Sequence, residues 1–221
     1  MRDNKAIAVL AGSIILGSAV AIALSISGGW GPSFNGAAFR EAGRVLARQT
    51  LGLLKPGGLV TVITRDTAAF ENPASDVLLK SFRNELLKTG IKIDFVRALQ
   101  IDPLRPVSIP AGDFVQWMRK STQGSVLVSF MGPPILGEAQ MTQLGEKRAS
   151  VVALCSGPVR EQVDLLALFS QGLLQAAVVS RKPAAITLGR PGSDREAFER
   201  QFVEVTAGNV AILSSSSNSP P

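Results

Sequence analysis

The chain has 221 residues and contains no histidine, no tyrosine and a single cysteine, Cys155. The absence of histidine excludes Ser-His-Asp and Cys-His catalysis and most zinc chemistry. One cysteine cannot form an intramolecular disulfide, so cysteine usage does not decide the compartment. The formal net charge is +6, and about +5 without the first 27 residues. No block rich in Lys and Arg occurs, so we expect no nucleic-acid partner.

The first distinctive segment is the run over residues 6–27, which is apolar and carries no charge. A helix of this length extends about 33 Å, which is enough to cross the core of a bilayer. A cleaved signal peptide is the alternative, with Ser25 and Ser27 at a small-x-small cleavage site. Signal h-regions run about 7–15 residues, however, and this one is longer. We therefore predict a retained N-terminal transmembrane helix, or an uncleaved signal, over residues 1–27.

Small residues recur at every fourth position of this run, on one face of the predicted helix. They are Ser13, Gly17, Ala21 and Ser25. Such a face lets a second transmembrane helix approach closely, although Ala-rich segments also produce the spacing by chance. Arg2 and Lys5 predict a cytoplasmic N-terminus, whereas Arg40 and Arg44 on the other side oppose it. Because long domains translocate largely regardless of such charges, we expect the following domain to be periplasmic or otherwise extracytoplasmic.

Residues 28–57 are predicted to form a connector that contains a breaker-rich turn and an amphipathic helix over residues 35–54. Arg40, Arg44 and Arg48 are spaced i, i+4 and i+8 and form a basic ridge on this helix. Two interpretations stay open. The ridge contacts anionic lipid headgroups beside the anchor, or the helix packs on the domain and its arginines are solvated.

Residues 58–213 are predicted to form one α/β domain, because short apolar runs alternate with helical patterns. Strands are predicted over residues 59–66, 91–96, 125–130, 150–154 and 174–179, with weaker edge candidates at 185–188 and 202–206. Helices are predicted over residues 74–88, 113–120, 136–148 and 160–171. The pattern indicates a doubly wound, mostly parallel sheet of five to six strands, with strand order 2-1-3-4-5. Residues 214–221 are predicted to be a disordered tail.

The first strand, the Asn72-Pro73 turn, the helix that carries Phe82 and the second strand together resemble the N-terminal lobe of type I periplasmic sugar-binding proteins. Residues 125–134 and 149–157 are similar to the next two strands of that lobe. The resemblance covers about residues 59–181 and implies a flavodoxin-like lobe with a ligand at its strand ends. By position, the implied contacts are Arg65, Asp66, Gly132, Pro133, Ser156 and Gly157.

The sequence also departs from that family. Family members have a second lobe of similar size, and the ligand lies between the two lobes. Here about forty residues follow the fifth strand, so we expect a single lobe. The aromatic residues that stack on the sugar are missing from residues 64–68. These departures leave open whether the ligand is a sugar.

The predicted ligand site is the carboxyl edge of the sheet, because open α/β sheets bind ligands there, at the switch point between the first and third strands. The residues expected at this edge are Thr64, Arg65, Asp66, Met131, Gly132, Pro133, Ser156, Gly157 and Arg181. Arg65 and Arg181 are suited to hold an anion, and Asp66 a hydroxyl group. The alternative is an ion pair of Asp66 with either arginine that only joins loops.

Groups for acid–base catalysis are scarce, so we expect a protein that is not an enzyme. Cys155 has no histidine to activate it and is interpreted as a structural thiol. We predict no cofactor and no metal, since Asp66, Glu71 and Asp76 give only a weak carboxylate pattern. We expect a membrane-anchored, extracytoplasmic binding domain that takes a small polar solute. The alternative is an accessory subunit of a membrane protein complex.

Overall fold

The computed structural model describes residues 36–68, 71–100, 108–145, 148–157, 159–181 and 191–215, without the side chains of residues 160, 214 and 215. The predicted membrane anchor over residues 6–27, the edge-strand candidate at residues 185–188 and most of the predicted tail lie outside these ranges. Within them, no helix is both long and apolar enough to cross a bilayer.

The described strands form a single six-stranded sheet in the order β2-β1-β3-β4-β5-β6. Their bounds are β1 (Val60–Arg65), β2 (Phe95–Leu99), β3 (Val126–Ser129), β4 (Ser150–Cys155), β5 (Ala176–Ser180) and β6 (Phe202–Thr206). The first five strands are parallel, and β6 pairs antiparallel with β5 at the edge. The predicted order 2-1-3-4-5 is confirmed, and so is the weaker edge strand near the C-terminus.

Eight helices are found in the described residues, and they cover both faces of the sheet. They are α1 (Ala37–Leu53), α2 (Pro73–Leu87), α3 (Ala111–Lys120), α4 (Glu138–Leu144), α5 (Val159–Gln162), α6 (Leu165–Ser170), α7 (Asp194–Gln201) and α8 (Ile212–Ser215). Successive residues of the buried strands enter different cores: Val60 and Val62 pack in one core with α1, α2 and α7, whereas Ile63 packs in the other with α3, α4 and α6. This two-sided burial explains why the strands are apolar runs rather than alternating patterns.

Three predicted elements differ from the observed ones by four residues or more, one of them the helix predicted over residues 136–148, because α4 ends at Leu144. Strand β2 begins at Phe95 rather than at residue 91, because the Asp94 carboxylate accepts a hydrogen bond from the Val60 N–H at 2.7 Å, and Asp94 N–H donates to the Val60 carbonyl. The single helix predicted over residues 160–171 is two helices. Asp164 is the N-cap of the second, since its side chain accepts a hydrogen bond from the Ala167 N–H.

The arginines of the basic ridge are paired with acidic side chains. Arg40 Nη2 lies 2.8 Å from Asp194 Oδ1, and Arg44 Nη1 lies 3.1 Å from both Asp194 Oδ2 and Glu41 Oε2. Arg48 bonds the other oxygen of Glu41, which is buried. Helix α1 is therefore an amphipathic helix packed on the domain, as the second interpretation expected, but Arg40 and Arg44 join α1 to α7 instead of only facing solvent.

Candidate functional site

A cavity of about 570 Å³ lies at the carboxyl edge of the sheet, where β1 and β4 end on either side of β3. The strands of a parallel sheet present their carboxyl ends along one edge, and the change of winding direction opens a crevice there. The described residues that line the cavity are Phe39, Arg65, Asn72, Ala74, Ser75, Leu78, Phe130, Met131, Leu154, Ser156, Gly157, Val159 and Gln162. The predicted site and the observed cavity thus coincide in position.

Arg65, the last residue of β1, is half-buried and lines the cavity. Among the described residues, its guanidinium forms no hydrogen bond and no ion pair. Asp66 does not neutralise it: Asp66 Oδ1 accepts a hydrogen bond from the Ala68 N–H at 3.0 Å. Arg181 is also not paired with Asp66, so the alternative in which Asp66 joins loops through an arginine is wrong.

The loop after β3 contributes different residues from those implied by the family resemblance. Phe130 and Met131 line the cavity, whereas Gly132 and Pro133 are buried outside its described lining. The turn is fixed by Ser129, whose hydroxyl donates to the Gly132 carbonyl at 2.5 Å and accepts from the Met131 N–H at 3.1 Å. Gly132 has a φ of +82°, and a Cβ there would lie 2.1 Å from a methyl group of Val159. A glycine is therefore needed for packing rather than for ligand contact.

The end of β4 brings Ser156 and Gly157 to the cavity, as predicted, but not Cys155. The Cys155 side chain is buried on the opposite face of the sheet, among the residues of the second core. Desolvation raises the pKa of this thiol to about 12. Because the thiolate is the nucleophilic form, this burial supports the interpretation of Cys155 as a structural residue.

Three other predicted residues lie outside the described lining of the cavity, namely Thr64, Asp66 and Arg181. Thr64 is buried in β1. Arg181 follows β5 and holds the edge strand: its backbone N–H donates to the Gln201 carbonyl at 2.8 Å, and its Nε donates to the Phe202 carbonyl at 3.1 Å. Arg65 is therefore the one arginine in the described lining, and Arg181 has a structural position between β5 and β6.

Sequence analysis missed the contributions of α1 and α2. Helix α2 begins at the cavity, where Asn72 caps it by accepting a hydrogen bond from the Ser75 N–H at 3.2 Å. The Asn-Pro dipeptide was a usable signal for this, because it places a helix start directly after the β1 loop. Phe39 gave no comparable signal. It reaches the cavity because α1 docks against α7 and β6, where its ring meets Phe202 edge-on at a centroid distance of 5.5 Å.

The cavity suits reversible binding of a small molecule. Its volume lies within the range of about 300–1,000 Å³ that is usual for such sites, and its walls are largely apolar with a few polar groups. The described lining contains no Asp and no Glu. Within the described residues, no group of three Cys, Asp or Glu side chains is placed to hold a metal ion.

The sequence matches no protein-family model and no curated protein. Among solved structures, the chain is similar to the sugar-binding protein of a sugar ABC transporter from Bacillus halodurans, with a TM-score of 0.50 and 14% identity, over 79% of this chain and 64% of that one. It is also similar to AraP, an arabinose-binding protein from Geobacillus stearothermophilus, with a TM-score of 0.50 and 16% identity, over 79% and 63% of the two chains.

The chain thus spans less than two thirds of the length of these two proteins. At such low identity the similarity concerns the fold. It confirms the part of the predicted resemblance that concerns architecture: a mostly parallel α/β sheet like that of periplasmic sugar-binding proteins.

Proposed function

We propose that this protein is a membrane-anchored, extracytoplasmic binding domain that holds a small solute at the carboxyl edge of its sheet and performs no catalysis. The observation that carries the proposal is the cavity of about 570 Å³ between the ends of β1 and β4. It lies where open α/β sheets bind ligands, and it contains Arg65, a cation without a protein partner among the described residues. Ser156 and Gly157 add a hydroxyl group and an exposed backbone on the opposite side.

Two further observations support an extracytoplasmic location and a solute-binding role. The two similar solved structures are both named as sugar-binding proteins, one of them in an ABC transporter. The apolar run over residues 6–27 is long enough to serve as an anchor. Together they favour a solute-binding domain tethered at the outer side of a membrane.

Native mass spectrometry of the full chain, extracted from its own membranes in a mild detergent, tests the binding role. We expect a bound small molecule on the wild-type protein. The variant Ala74→Phe fills the cavity from the first turn of α2 and should lose the adduct. Ala139→Phe is the matched control, because Ala139 is exposed on α4 away from this cavity, and it should keep the adduct. An adduct that survives Ala74→Phe would contradict binding in the cavity.

The anchor needs its own experiment. We expect the full chain to stay with the membrane pellet after alkaline carbonate extraction, and a variant without residues 1–27 to be released in folded form. Release of the full chain by carbonate would contradict the anchor. An external protease that cleaves the domain in intact cells would support the extracytoplasmic side, and protection of the domain would contradict it.

A second candidate function is an accessory subunit of a membrane complex, and the edge strand β2 favours it. The side chains of Phe95 and Val96 on this strand are 48% and 42% exposed, and Leu87 at the end of α2 is 48% exposed. Apolar side chains on an unpaired strand edge are a common site of protein association. The same mass spectra separate the two functions, because an accessory subunit would carry stoichiometric partner chains.

A further inference from the structure

The cavity between β1 and β4 has an uneven distribution of charge. Arg65 supplies a permanent positive charge, since a guanidinium stays protonated in proteins. Most of the surrounding wall is apolar and comes from both layers of the fold, namely Phe39, Leu78, Phe130, Met131, Leu154 and Val159. Four of these six side chains are buried to more than 92% even though they face the cavity: Leu78, Phe130, Met131 and Leu154. The site therefore offers one cation at one place and hydrocarbon over most of the remaining surface.

Of the three acidic groups nearest to Arg65 in sequence, Glu71 is exposed and lies outside the described lining of the cavity, and the other two are engaged elsewhere. The carboxylate of Asp66 accepts the Ala68 N–H, and that of Asp76 accepts the Thr67 hydroxyl at 3.4 Å. Neither residue belongs to the described lining of the cavity. When a ligand displaces water from a guanidinium, the desolvation costs much free energy unless an anion or several hydrogen-bond acceptors contact the guanidinium. Since the described lining offers no carboxylate, the ligand itself is the natural source of that anion.

On this basis, and resting on the proposed function, we propose that the solute is a small monocarboxylate with an apolar body. Its carboxylate forms paired hydrogen bonds with the Arg65 guanidinium, and its body lies against Phe130, Leu78 and Leu154. A carboxylate fits because the guanidinium fork matches its two oxygens and a single negative charge balances the single arginine. A doubly charged phosphate would bring an excess charge into the apolar part of the cavity.

A sugar fits this cavity less well for the same physical reason. Each sugar hydroxyl group that is buried without a partner costs free energy, so sugar sites need many polar side chains. In the described lining, the polar side chains other than Arg65 are Asn72, Ser75, Ser156 and Gln162. Of these, Asn72 already uses its carbonyl oxygen to cap α2. The other described side chains of the lining are apolar, which suits an alkyl or aromatic body better than a ring of hydroxyl groups.

The test uses fluorine NMR on the full chain in phosphatidylcholine nanodiscs, with empty nanodiscs as the blank. The probes are 4-fluorophenylacetate and its neutral analogue 4-fluorophenylacetamide, which differ only in the charged group. We expect the acid to bind about tenfold or more tightly than the amide, as for a hydrogen-bonded ion pair. We expect D-arabinose at millimolar concentration not to displace the acid.

Three arginine variants locate the charge. Arg65→Met should abolish the preference for the acid, and Arg65→Lys should keep part of it, because lysine retains the charge but not the fork. Arg83→Met is the matched control: it removes the same charge from an exposed position on α2 outside the cavity and should keep the full preference. Equal thermal midpoints of Arg65→Lys and the wild type would show that the fold is intact.

The outcomes separate this inference from the proposed function. Equal binding of acid and amide, or a preference that survives Arg65→Met, overturns the inference, while loss of both ligands in Ala74→Phe would still support binding in the cavity. Displacement by D-arabinose also overturns the inference and supports a sugar-binding function. No binding of either fluorinated probe at millimolar concentration also overturns the inference, whereas an adduct in the native mass spectra that Ala74→Phe removes would still support the proposed function.

Discussion

The carboxylates of Glu41 and Asp194 bind the three arginines of the basic ridge on α1. Glu41 is buried and receives hydrogen bonds from Arg44 and Arg48, whereas Asp194, the first residue of α7, receives them from Arg40 and Arg44. The hydrogen bond with Asp194 raises the pKa of Arg40, and the one with Glu41 raises that of Arg44. The arginines are thus held by protein carboxylates, which a spacing of i, i+4, i+8 in the sequence cannot reveal, because one of those carboxylates lies some 150 residues away.

The same contacts predict a pH-dependent contribution to stability. The hydrogen bonds from Arg40 lower the pKa of Asp194 in the folded protein below its unfolded value of about 3.9. The unfolded chain therefore binds more protons near pH 4, and the stabilisation by Asp194 is complete above about pH 5 and is lost as the pH falls through the folded-state pKa. We expect Asp194→Asn to reduce the free energy of unfolding by about 1 kcal/mol at pH 7, and by much less at pH 2.5.

Urea titrations of both proteins at the two pH values measure this difference. Glu199→Gln is the control, because Glu199 forms an i,i+4 pair with Arg195 in which both side chains are more than half exposed, and it should change stability by less than about 0.5 kcal/mol. A cost of Asp194→Asn that is the same at pH 7 and pH 2.5 would show that the ion pairs with α1 are not its cause.

On the scale of elements, the sequence located the strands, whereas the exact bounds of β2 and the break between α5 and α6 were not predicted. Each of the first five strands is a short apolar run that is buried on both faces or begins a βα unit, so composition and turn residues located them. The start of β2 was not predictable, because it depends on the hydrogen bonds between Asp94 and Val60 across the sheet. The break between α5 and α6 was missed because apolar periodicity continues through Asp164, whose capping bond restarts the helix.

The close packing of α1 on α2 predicts that two Gly→Ala substitutions in α1 change the free energy of unfolding in opposite directions. At Gly43 an added Cβ would lie 2.6 Å from the Leu78 carbonyl oxygen and 2.9 Å from the Ser81 Cβ, so the two helix backbones approach closely. Gly43→Ala must push the helices apart, since the nearest atom belongs to a backbone. We expect a loss of about 1–3 kcal/mol in the free energy of unfolding, despite the better helix propensity of alanine.

Gly52→Ala is the control in the same helix. Nothing lies within 4 Å of its added Cβ, and the position is exposed, so only the gain in helix propensity should remain. We expect this variant to be more stable than the wild type by about 0.5–1 kcal/mol. Urea unfolding followed by circular dichroism measures both changes. Equal effects of the two substitutions would contradict the close contact between α1 and α2.

On the scale of the whole molecule, the topology explains how much of the site could be predicted. Parallel strands in the order 2-1-3-4 bring the ends of β1 and β4 to one edge, so Arg65, Ser156 and Gly157 were expected there both from the strand ends and from the family resemblance. Phe39 was not, because α1 precedes the first strand and its place on the sheet depends on contacts with α2 and α7. Sequence analysis therefore located the residues at the strand ends and missed the helix residues of the lining and most of its apolar wall.

Because Cys155 is buried in the middle of the sheet, the rate at which a thiol reagent labels it measures how often the sheet opens. Its strand, β4, has β3 and β5 as hydrogen-bonded neighbours, and the thiol is fully buried with a pKa raised to about 12 by desolvation. The Cys155 thiolate must attack the disulfide of a reagent such as 5,5′-dithiobis(2-nitrobenzoate) and release 2-nitro-5-thiobenzoate, so labelling requires that the structure around β4 opens. We expect labelling of the native full chain to be at least about a thousandfold slower than in concentrated urea.

The two glycine variants then report whether this opening is global. If β4 is exposed only when the whole domain unfolds, Gly43→Ala should accelerate labelling by about tenfold for each 1.4 kcal/mol that it removes from the free energy of unfolding, and Gly52→Ala should slow it. Because Cys155 is the single cysteine of the chain, the signal needs no background variant. If neither substitution changes the labelling rate, β4 opens locally and independently of the contact between α1 and α2. The two cores on either side of the sheet would then not unfold as one unit.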